Sequence, residues 1–155
     1  QASKLACKQL SAICQNSRFV LSFASFDSEI NIWLFNEQLC TEERLVLPLL
    51  SKNKLELFLV SNLNQLIPHH WGMLEPNPLK CLRLNLSEIE YALIPGLGFD
   101  PTAHYRLGYG KGYYDRLLDS PSALTQTWGV GFLEQAMKGL PYSKEDIPMN
   151  HLLLT

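Results

Sequence analysis

Long apolar runs, an excess of basic residues and paired cysteines are all missing from this 155-residue chain. No stretch approaches the roughly 18 to 20 apolar residues that a membrane-spanning helix needs, so we expect no membrane partner. The formal net charge of -2 argues against nucleic acid as a partner. The first residues carry no signal-peptide pattern, and we therefore expect a cytoplasmic protein. The cysteines are widely spaced, with no Cys-x-x-Cys pair, and we interpret them as reduced, mostly buried thiols: Cys7, Cys14, Cys40 and Cys81.

Two common nucleotide-binding motifs are also missing, although a glycine-rich segment lies at residues 108–112. A P-loop would require Ser or Thr after Lys111, where this chain has Gly112. A dinucleotide fingerprint would require Gly-x-Gly-x-x-Gly early in the chain, after the first strand. Alternating glycines nevertheless let backbone amides close on an anion, and Arg106 and Lys111 add positive charge. With Asp115 following as a carboxylate for Mg²⁺, the segment predicts a phosphate-binding loop rather than a structural turn.

Apolar runs alternate with segments of helical spacing, which predicts one domain over residues 1–155. This order is typical of a three-layer α/β/α domain with a largely parallel sheet. We predict helices at 4–14, 30–40 and 113–118, and strands at 18–23, 45–50, 55–60, 91–94, 127–132 and 151–154. The 55–60 segment is either the hairpin partner of 45–50 or a following strand. Residues 61–80 contain Pro68, Pro76 and Pro78, and indicate a long loop with little regular structure.

Several chemically distinctive residues follow the ends of the predicted strands. Glu29, Pro48, Gly96 and the 108–112 segment all occupy such positions. Because ligands of parallel sheets bind beyond the carboxyl ends of the strands, we expect these residues to share one cleft.

The segment 94–117 resembles the signature of the 5-formyltetrahydrofolate cyclo-ligase family, also called methenyltetrahydrofolate synthetases. That signature is Pro-Gly-x-x-Phe-Asp followed by Arg-Leu-Gly-x-Gly-x-Gly-Tyr-Tyr-Asp. Weaker similarities lie around Glu29, Trp71 and Asp146. The matching positions of the signature are Pro95, Gly96, Phe99, Asp100, Arg106, Leu107, Gly108, Gly110, Gly112, Tyr113, Tyr114 and Asp115.

The resemblance implies an ATP- and Mg²⁺-dependent ligase that cyclises 5-formyltetrahydrofolate to 5,10-methenyltetrahydrofolate with release of ADP and phosphate. It implies catalytic roles for Arg106 and Lys111, and metal ligation by Asp115 and Asp146. The implied contacts to folate are Phe26, Glu29, Tyr113 and Tyr114. Those to ATP are Arg106, Leu107, Gly108, Tyr109, Gly110, Lys111, Gly112 and Tyr113.

The sequence leaves open the roles of several other aromatic and apolar residues. Phe26, Trp71 and Met73 would line the folate slot or, for at least two of them, pack in the core. One of Tyr113 and Tyr114 is expected to face the cleft while the other packs inward, since neighbouring helix positions point about 100° apart.

The chain departs from the family pattern at two points. Lys4 and Lys8 stand too close to Glu29 to match the basic helix with which the family begins, so we expect that segment to be truncated. Tyr109 replaces an arginine found in many members. The alternative is therefore a non-catalytic folate- or nucleotide-binding protein of the same fold; a sugar-phosphate or CoA-handling enzyme would leave Tyr113, Tyr114 and Asp115 unexplained. We expect a monomer.

Overall fold

This computed structural model describes residues 1–120 and 124–155. The helices are α1 (Ala2–Ile13), α2 (Trp33–Thr41) and α3 (Tyr113–Leu118). The strands are β1 (Val20–Leu21), β2 (Leu45–Ser51), β3 (Lys54–Leu59), β4 (Leu66–Pro68), β5 (Leu74–Pro76), β6 (Leu82–Leu84), β7 (Tyr91–Ile94), β8 (Gly98–Phe99), β9 (Arg106–Leu107), β10 (Gln126–Gly131) and β11 (His151–Leu154). Short 3₁₀ turns lie at Leu63–Gln65, Leu86–Glu88 and Leu133–Gln135. No helix in the described ranges is long and apolar enough to cross a membrane.

The central sheet has seven strands in the order β11-β10-β7-β1-β2-β3-β6. The first five are parallel, while β3 and β6 run antiparallel to their neighbours. The prediction of a largely parallel sheet is confirmed. Of the two alternatives for 55–60, the hairpin is the observed one, since β2 and β3 pair antiparallel from Ser51 and Lys54 outward.

Successive residues of the central strands enter two separate cores, one on each face of the sheet. Val20 lies in the core under α1 and α2, and Leu21 in the core that α3 covers. This alternation follows from the two-residue period of a strand. The first core includes Ala6, Leu10, Phe35, Leu39, Leu45 and Leu93, and the second includes Val46, Leu57, Ile89, Ala92, Ile94 and Met149, with Tyr114 and Leu117 packed against it. The three-layer α/β/α architecture is thereby confirmed.

The prediction that residues 61–80 form a loop with little regular structure is wrong for the middle of that segment. β4 and β5 form a two-stranded antiparallel hairpin in which Leu66 pairs with Pro76 and Pro68 with Leu74. Proline lacks an amide donor and is tolerated at the ends of such short edge strands. Strand β5 of this hairpin contacts strand β2 of the central sheet.

The position of Pro48 and the start of α2 also differ from the prediction. Pro48 lies inside β2 rather than at a strand end. β1 pairs with β2 only as far as Val46, so the ladder between them requires no amide donor at Pro48, and proline is tolerated there. α2 begins at Trp33 instead of residue 30. The side chain of Asn31 accepts a hydrogen bond from the Trp33 amide at 3.0 Å, which satisfies a donor at the helix start.

Candidate active site at the carboxyl edge of the sheet

The site is built from the segments that leave two neighbouring strands at the same edge of the sheet. β1 and β7 pair in parallel, with Leu21 opposite Ala92. After β1 the chain continues to β2, which lies on one side of β1, whereas β7 lies on the other side of β1. The sheet therefore has a topological switch point between β1 and β7, where such sheets bind ligands. The Glu29 loop (residues 22–32) follows β1, and the glycine loop (residues 108–112) lies in the segment after β7.

The Glu29 carboxylate closes a tight turn in its own loop. The Phe26 amide donates to Glu29 Oε2 at 3.0 Å, and the Glu29 amide donates back to the Phe26 carbonyl at 3.1 Å. Burial raises the pKa of the Glu29 carboxyl, the Phe26 amide hydrogen bond opposes this, and the nearby charge of Asp27 adds to it. Glu29 is therefore a half-buried carboxylate with one oxygen fixed and no cation paired to it in the described residues.

The turn of the β4–β5 hairpin borders the Glu29 loop. A Cβ at Gly72 would lie 3.1 Å from Cε2 of Phe26, so the backbone passes close against that ring. Phe26 is 39% exposed and Trp71 61% exposed, and Met73 is also incompletely buried. The expectation that at least two of these three pack in the core is wrong. They leave an apolar, accessible surface beside Glu29.

The glycine loop presents backbone amides that have no internal partner. Within the described part of the chain, no amide of residues 109–112 donates a hydrogen bond. Gly110 and Gly112 have φ of +83° and +67°, a left-handed backbone that favours glycine. Tyr109 and Lys111 are exposed. Consecutive free amides in such a conformation form a hollow suited to an anion.

Arg106 lies behind this loop and is 8% exposed at its side chain. Nη1 donates to the Pro95 carbonyl at 3.3 Å, and Nη2 lies 3.8 Å from Oδ2 of Asp115. Its Cζ is 5.3 Å from the centre of the Tyr114 ring. The guanidinium is thus surrounded by protein groups of the site, rather than extended into solvent.

The two carboxylates predicted to hold a metal lie on segments that meet. Asp115 Oδ1 accepts from the Ile147 amide at 3.2 Å, which places residue 146 beside α3. Asp146 Oδ2 accepts from the Ser143 amide at 2.7 Å. The described residues contain no cluster of three or more His, Cys, Asp or Glu side chains that could hold a metal ion. A pair of carboxylates fits a hard cation whose remaining ligands are phosphate oxygens and water.

The tyrosines connect the two halves of the cleft. Burial is the first cause of a raised pKa for both Tyr109 and Tyr114, and the negative charge of Glu29 is the second. The charge of Glu29 thus acts on one tyrosine of the glycine loop and on one of α3, and the shared cleft stays a prediction. Tyr114 packs against the core below α3, whereas Tyr113 lies beside Arg116, with the Arg116 Cζ 5.2 Å from its ring centre.

Sequence reasoning assigned no supporting role to Asp100 or Gln135. Asp100 Oδ1 accepts from the amides of Thr102 and Ala103 at 2.8 and 3.1 Å, and Oδ2 accepts from Gly139 at 3.0 Å. These hydrogen bonds lower the pKa of the Asp100 carboxyl. The dipeptide Asp-Pro at 100–101 signalled a turn of this kind. Gln135 Nε2 donates to the Gly96 carbonyl at 2.7 Å, a contact that no local pattern announced.

A groove of about 720 Å³ lies elsewhere, between α1 and α2, and includes Lys8, Leu34 and Gln38 in its lining. It contains none of the predicted site residues. The side chains of Phe26 in the Glu29 loop and of Tyr109 and Lys111 in the glycine loop are instead exposed.

Known proteins resemble this chain in sequence. The 5-formyltetrahydrofolate cyclo-ligase of Mycolicibacterium smegmatis is 31% identical over 88 residues, which are 57% of this chain and 45% of that protein. The Mus musculus protein of the same name is 32% identical over 74 residues, 45% of this chain and 36% of its own. The matched part is therefore less than half the length of either relative.

Solved structures share the fold and, in one case, considerable sequence. The 5,10-methenyltetrahydrofolate synthetase of Aquifex aeolicus superposes with a TM-score of 0.83 at 29% identity, covering 97% of this chain and 76% of that one. The synthetase of Mycoplasma pneumoniae has a TM-score of 0.74 at 19% identity, covering 97% of this chain and 83% of that one, which supports the fold alone. A sequence profile of the 5-formyltetrahydrofolate cyclo-ligase family matches residues 1–155, and the chain belongs to that family.

Proposed function

We propose that this protein is a ligase that cyclises 5-formyltetrahydrofolate to 5,10-methenyltetrahydrofolate, driven by conversion of ATP to ADP and phosphate. The observation that carries the proposal is that the Glu29 loop and the glycine loop lie in the segments after β1 and β7, the two neighbouring strands at the switch point of the sheet. One half of the cleft offers a half-buried carboxylate among aromatic side chains, and the other offers free amides beside cations. A folate and a nucleotide are the substrates that these two halves suit, and we place the reaction in the cytoplasm, in a monomer.

The folate half centres on Glu29. A pterin ring presents adjacent N–H donors that a carboxylate can accept together. The Glu29 oxygen that accepts from Phe26 is already oriented, which leaves the other oxygen and the remaining lone pairs for the ligand. Phe26, Tyr113 and Tyr114 supply flat apolar contact for the fused rings, with the phenol groups as polar partners.

The nucleotide half centres on the glycine loop. The unpartnered amides of residues 109–112 would donate hydrogen bonds to phosphate oxygens in the hollow of the loop, and Leu107, Gly108 and Tyr113 would complete its walls. Lys111 is exposed and free to place its ammonium on the transferring phosphoryl group. Arg106 contributes charge from behind the loop, where it also orients Asp115.

Asp115 and Asp146 would hold Mg²⁺ together with phosphate oxygens. The fit rests on their donor chemistry, two carboxylates on adjoining segments, with one oxygen of each fixed by a backbone amide. When bound, the ion would neutralise charge on the phosphate chain.

The reaction asks the protein for alignment more than for covalent chemistry. The formyl oxygen attacks the γ-phosphate, ADP leaves, and an iminium phosphate forms. The N10 nitrogen of the same folate then attacks the formyl carbon and releases its proton to solvent. The bond between that carbon and the phosphate oxygen breaks, and loss of phosphate gives the methenyl product. Glu29 orients the pterin so that the formyl oxygen lies in line with the phosphoryl group. Lys111 stabilises the charge that develops on the phosphoryl group.

A second candidate function is non-catalytic binding of folate or nucleotide. It is favoured by Tyr109, which is 66% exposed and uncharged where many members of the family have arginine. The loop therefore has one cation fewer for the phosphates, which weakens the nucleotide half.

The experiment is to mix the protein with 5-formyltetrahydrofolate, ATP and Mg²⁺ and to follow the absorbance of the methenyl chromophore. We expect a rise that disappears when ATP is omitted, when a non-hydrolysable analogue replaces it, or when a chelator removes Mg²⁺. Absence of a rise, with folate still increasing the melting temperature, would favour the binding-protein alternative. If folate and nucleotide changed neither the absorbance nor the melting temperature, both functions would be excluded.

A further inference from the structure

Arg116 joins two segments of the chain that lie far apart in sequence. Its Nη1 donates to the Lys111 carbonyl at 2.8 Å, and its Nη2 donates to the Asn53 carbonyl at 2.8 Å. Lys111 belongs to the glycine loop, and Asn53 to the turn between β2 and β3 (the β2–β3 turn, residues 52–53). One guanidinium therefore connects the glycine loop to the hairpin that extends the sheet.

The same side chain packs directly on the end of the loop. Its Cζ lies 5.2 Å from the centre of the Tyr113 ring. A Cβ at Gly112 would be 3.0 Å from Nη1, so the backbone and the guanidinium are in close approach there. The Arg116 amide also donates to the Gly112 carbonyl at 3.0 Å. Arg116 thus contacts the loop through both its backbone and its side chain.

The hydrogen bond to Lys111 has a consequence for the next amide. A trans peptide is planar, and its C=O and N–H point in opposite directions. When Arg116 holds the Lys111 carbonyl on its own side, the N–H of Gly112 is directed away from the guanidinium. That N–H is one of the amides in 109–112 that donate to no described residue.

We propose that Arg116 is a positioning residue that fixes the orientation of the 111–112 peptide and so presents the Gly112 amide to a phosphate of the nucleotide. This inference rests on the proposed function. Arg116 acts through the loop and need not touch the nucleotide, since both terminal nitrogens are used by protein carbonyls.

The geometry requires arginine rather than any cation. Guanidinium is a planar fork that reaches two separated carbonyls at once, whereas an ammonium is a point charge on a flexible stem. Arg116→Lys should therefore keep charge near the loop but lose the fixed bridge. Its effect should resemble that of Arg116→Ala more than that of the unchanged protein.

The test compares Arg116→Ala and Arg116→Lys with Arg83→Ala, an exposed arginine on β6 that pairs with Glu56. Hydrogen exchange of the glycine-loop amides is measured in the unliganded protein, and steady-state kinetics are measured with each substrate varied. We expect faster exchange within residues 110–113 and an ATP KM raised about ten- to a hundredfold in both Arg116 variants. The folate KM should stay within about twofold, and Arg83→Ala should change nothing.

The outcomes distinguish failure of the Arg116 bridge from failure of its role in nucleotide binding. Unchanged exchange would overturn the bridge, and faster exchange with an unchanged ATP KM would overturn its role in nucleotide binding. Equal increases in the KM for ATP and for folate would indicate a general loss of structure and also contradict positioning. If the unsubstituted protein had no turnover, the proposed ligase would fail separately, and calorimetric affinity for MgATP would replace the KM; a protein that bound no MgATP would overturn the inference.

Discussion

Oδ2 of Asp115 lies 3.8 Å from Nη2 of Arg106, and the two side chains are 20% and 8% exposed. The other oxygen of Asp115 accepts from the Ile147 amide. Both oxygens are therefore held, one by a buried cation and one by the segment that contains Asp146. This arrangement connects Asp115 to the glycine loop, because the same guanidinium lies against Gly108.

Replacing Asp115 by Asn should lower kcat by about a hundredfold or more, since a neutral amide is a weaker ligand than a carboxylate for the Mg²⁺ that would neutralise the phosphate charge. The fold should persist, because the Asn carbonyl can still accept from the Ile147 amide. Activity is measured by methenyl absorbance, and folding by circular dichroism. Asp119→Asn at the exposed end of α3 is the matched control and should retain activity. Normal turnover in Asp115→Asn would remove Asp115 from the metal site.

Gly108→Ala tests the position of Arg106 without altering its charge. An added Cβ would lie 2.6 Å from Nη1 and 3.3 Å from Cζ of Arg106, so the guanidinium must shift away from Asp115. We expect kcat/KM for ATP to fall about a hundredfold, as small displacements in an active site do. The control is Gly139→Ala, where φ is +71° and no atom lies within 4 Å, so only backbone strain is introduced. Equal activity in the two variants would contradict a role for Arg106 in orienting Asp115.

Glu29→Gln should raise the folate KM and, at neutral pH, also raise the free energy of unfolding. Burial raises the pKa of Glu29 above its ordinary value of 4.5. A raised carboxyl pKa contributes stability below the unfolded-state pKa, and this is lost as the pH rises through the folded-state pKa. The charged carboxylate therefore opposes folding at neutral pH, and the neutral amide does not.

The measurement is urea unfolding of both proteins at neutral pH and again below the ordinary carboxyl pKa, with Glu37→Gln on the exposed side of α2 as control. The advantage of the Gln variant should be present at neutral pH and disappear in acid. An unchanged folate KM would remove Glu29 from the pterin site, whatever the effect on stability.

Asp100 should make the fold sensitive to acid. Its pKa is lowered from an ordinary value of 3.8, first by the amides of Ala103 and Thr102. A lowered carboxyl pKa contributes stability above the unfolded-state pKa, and this is lost as the pH falls through the folded-state pKa. Asp100→Asn should therefore flatten the decline of unfolding free energy in acid, whereas Asp119→Asn should leave the decline unchanged. Identical pH profiles for the original protein and Asp100→Asn would contradict this assignment.

Residue pattern was sufficient for six of the seven strands of the central sheet, and only the short edge strand β6 was missed. Apolar runs predicted the strands at 91–94 and 151–154 with the observed bounds, and the alternating glycines predicted the loop and the start of α3. These features are local in sequence. The β4–β5 hairpin was missed because its strands have three residues each and contain prolines, which erase the alternating pattern on which strand prediction depends.

Contacts to the backbone could not be predicted in the same way. Arg116 bonds the carbonyls of residues 111 and 53, and a carbonyl is present whatever the residue type, so the sequence carries no signal of the pairing. The exposure of Phe26 and Trp71 was misjudged for a related reason. Their apolar character predicts burial, but only the tertiary course of the β4–β5 hairpin decides that they border an open cleft.

In the proposed reaction, the Glu29 loop and the glycine loop bring the formyl oxygen of a folate into line with the γ-phosphate of ATP. The transfer can be followed with 5-formyltetrahydrofolate that carries a heavy oxygen isotope in its formyl group, by mass analysis of the inorganic phosphate released. We expect one heavy oxygen atom in each phosphate formed together with the methenyl product. Unlabelled phosphate, or phosphate released without that product, would contradict the proposed reaction.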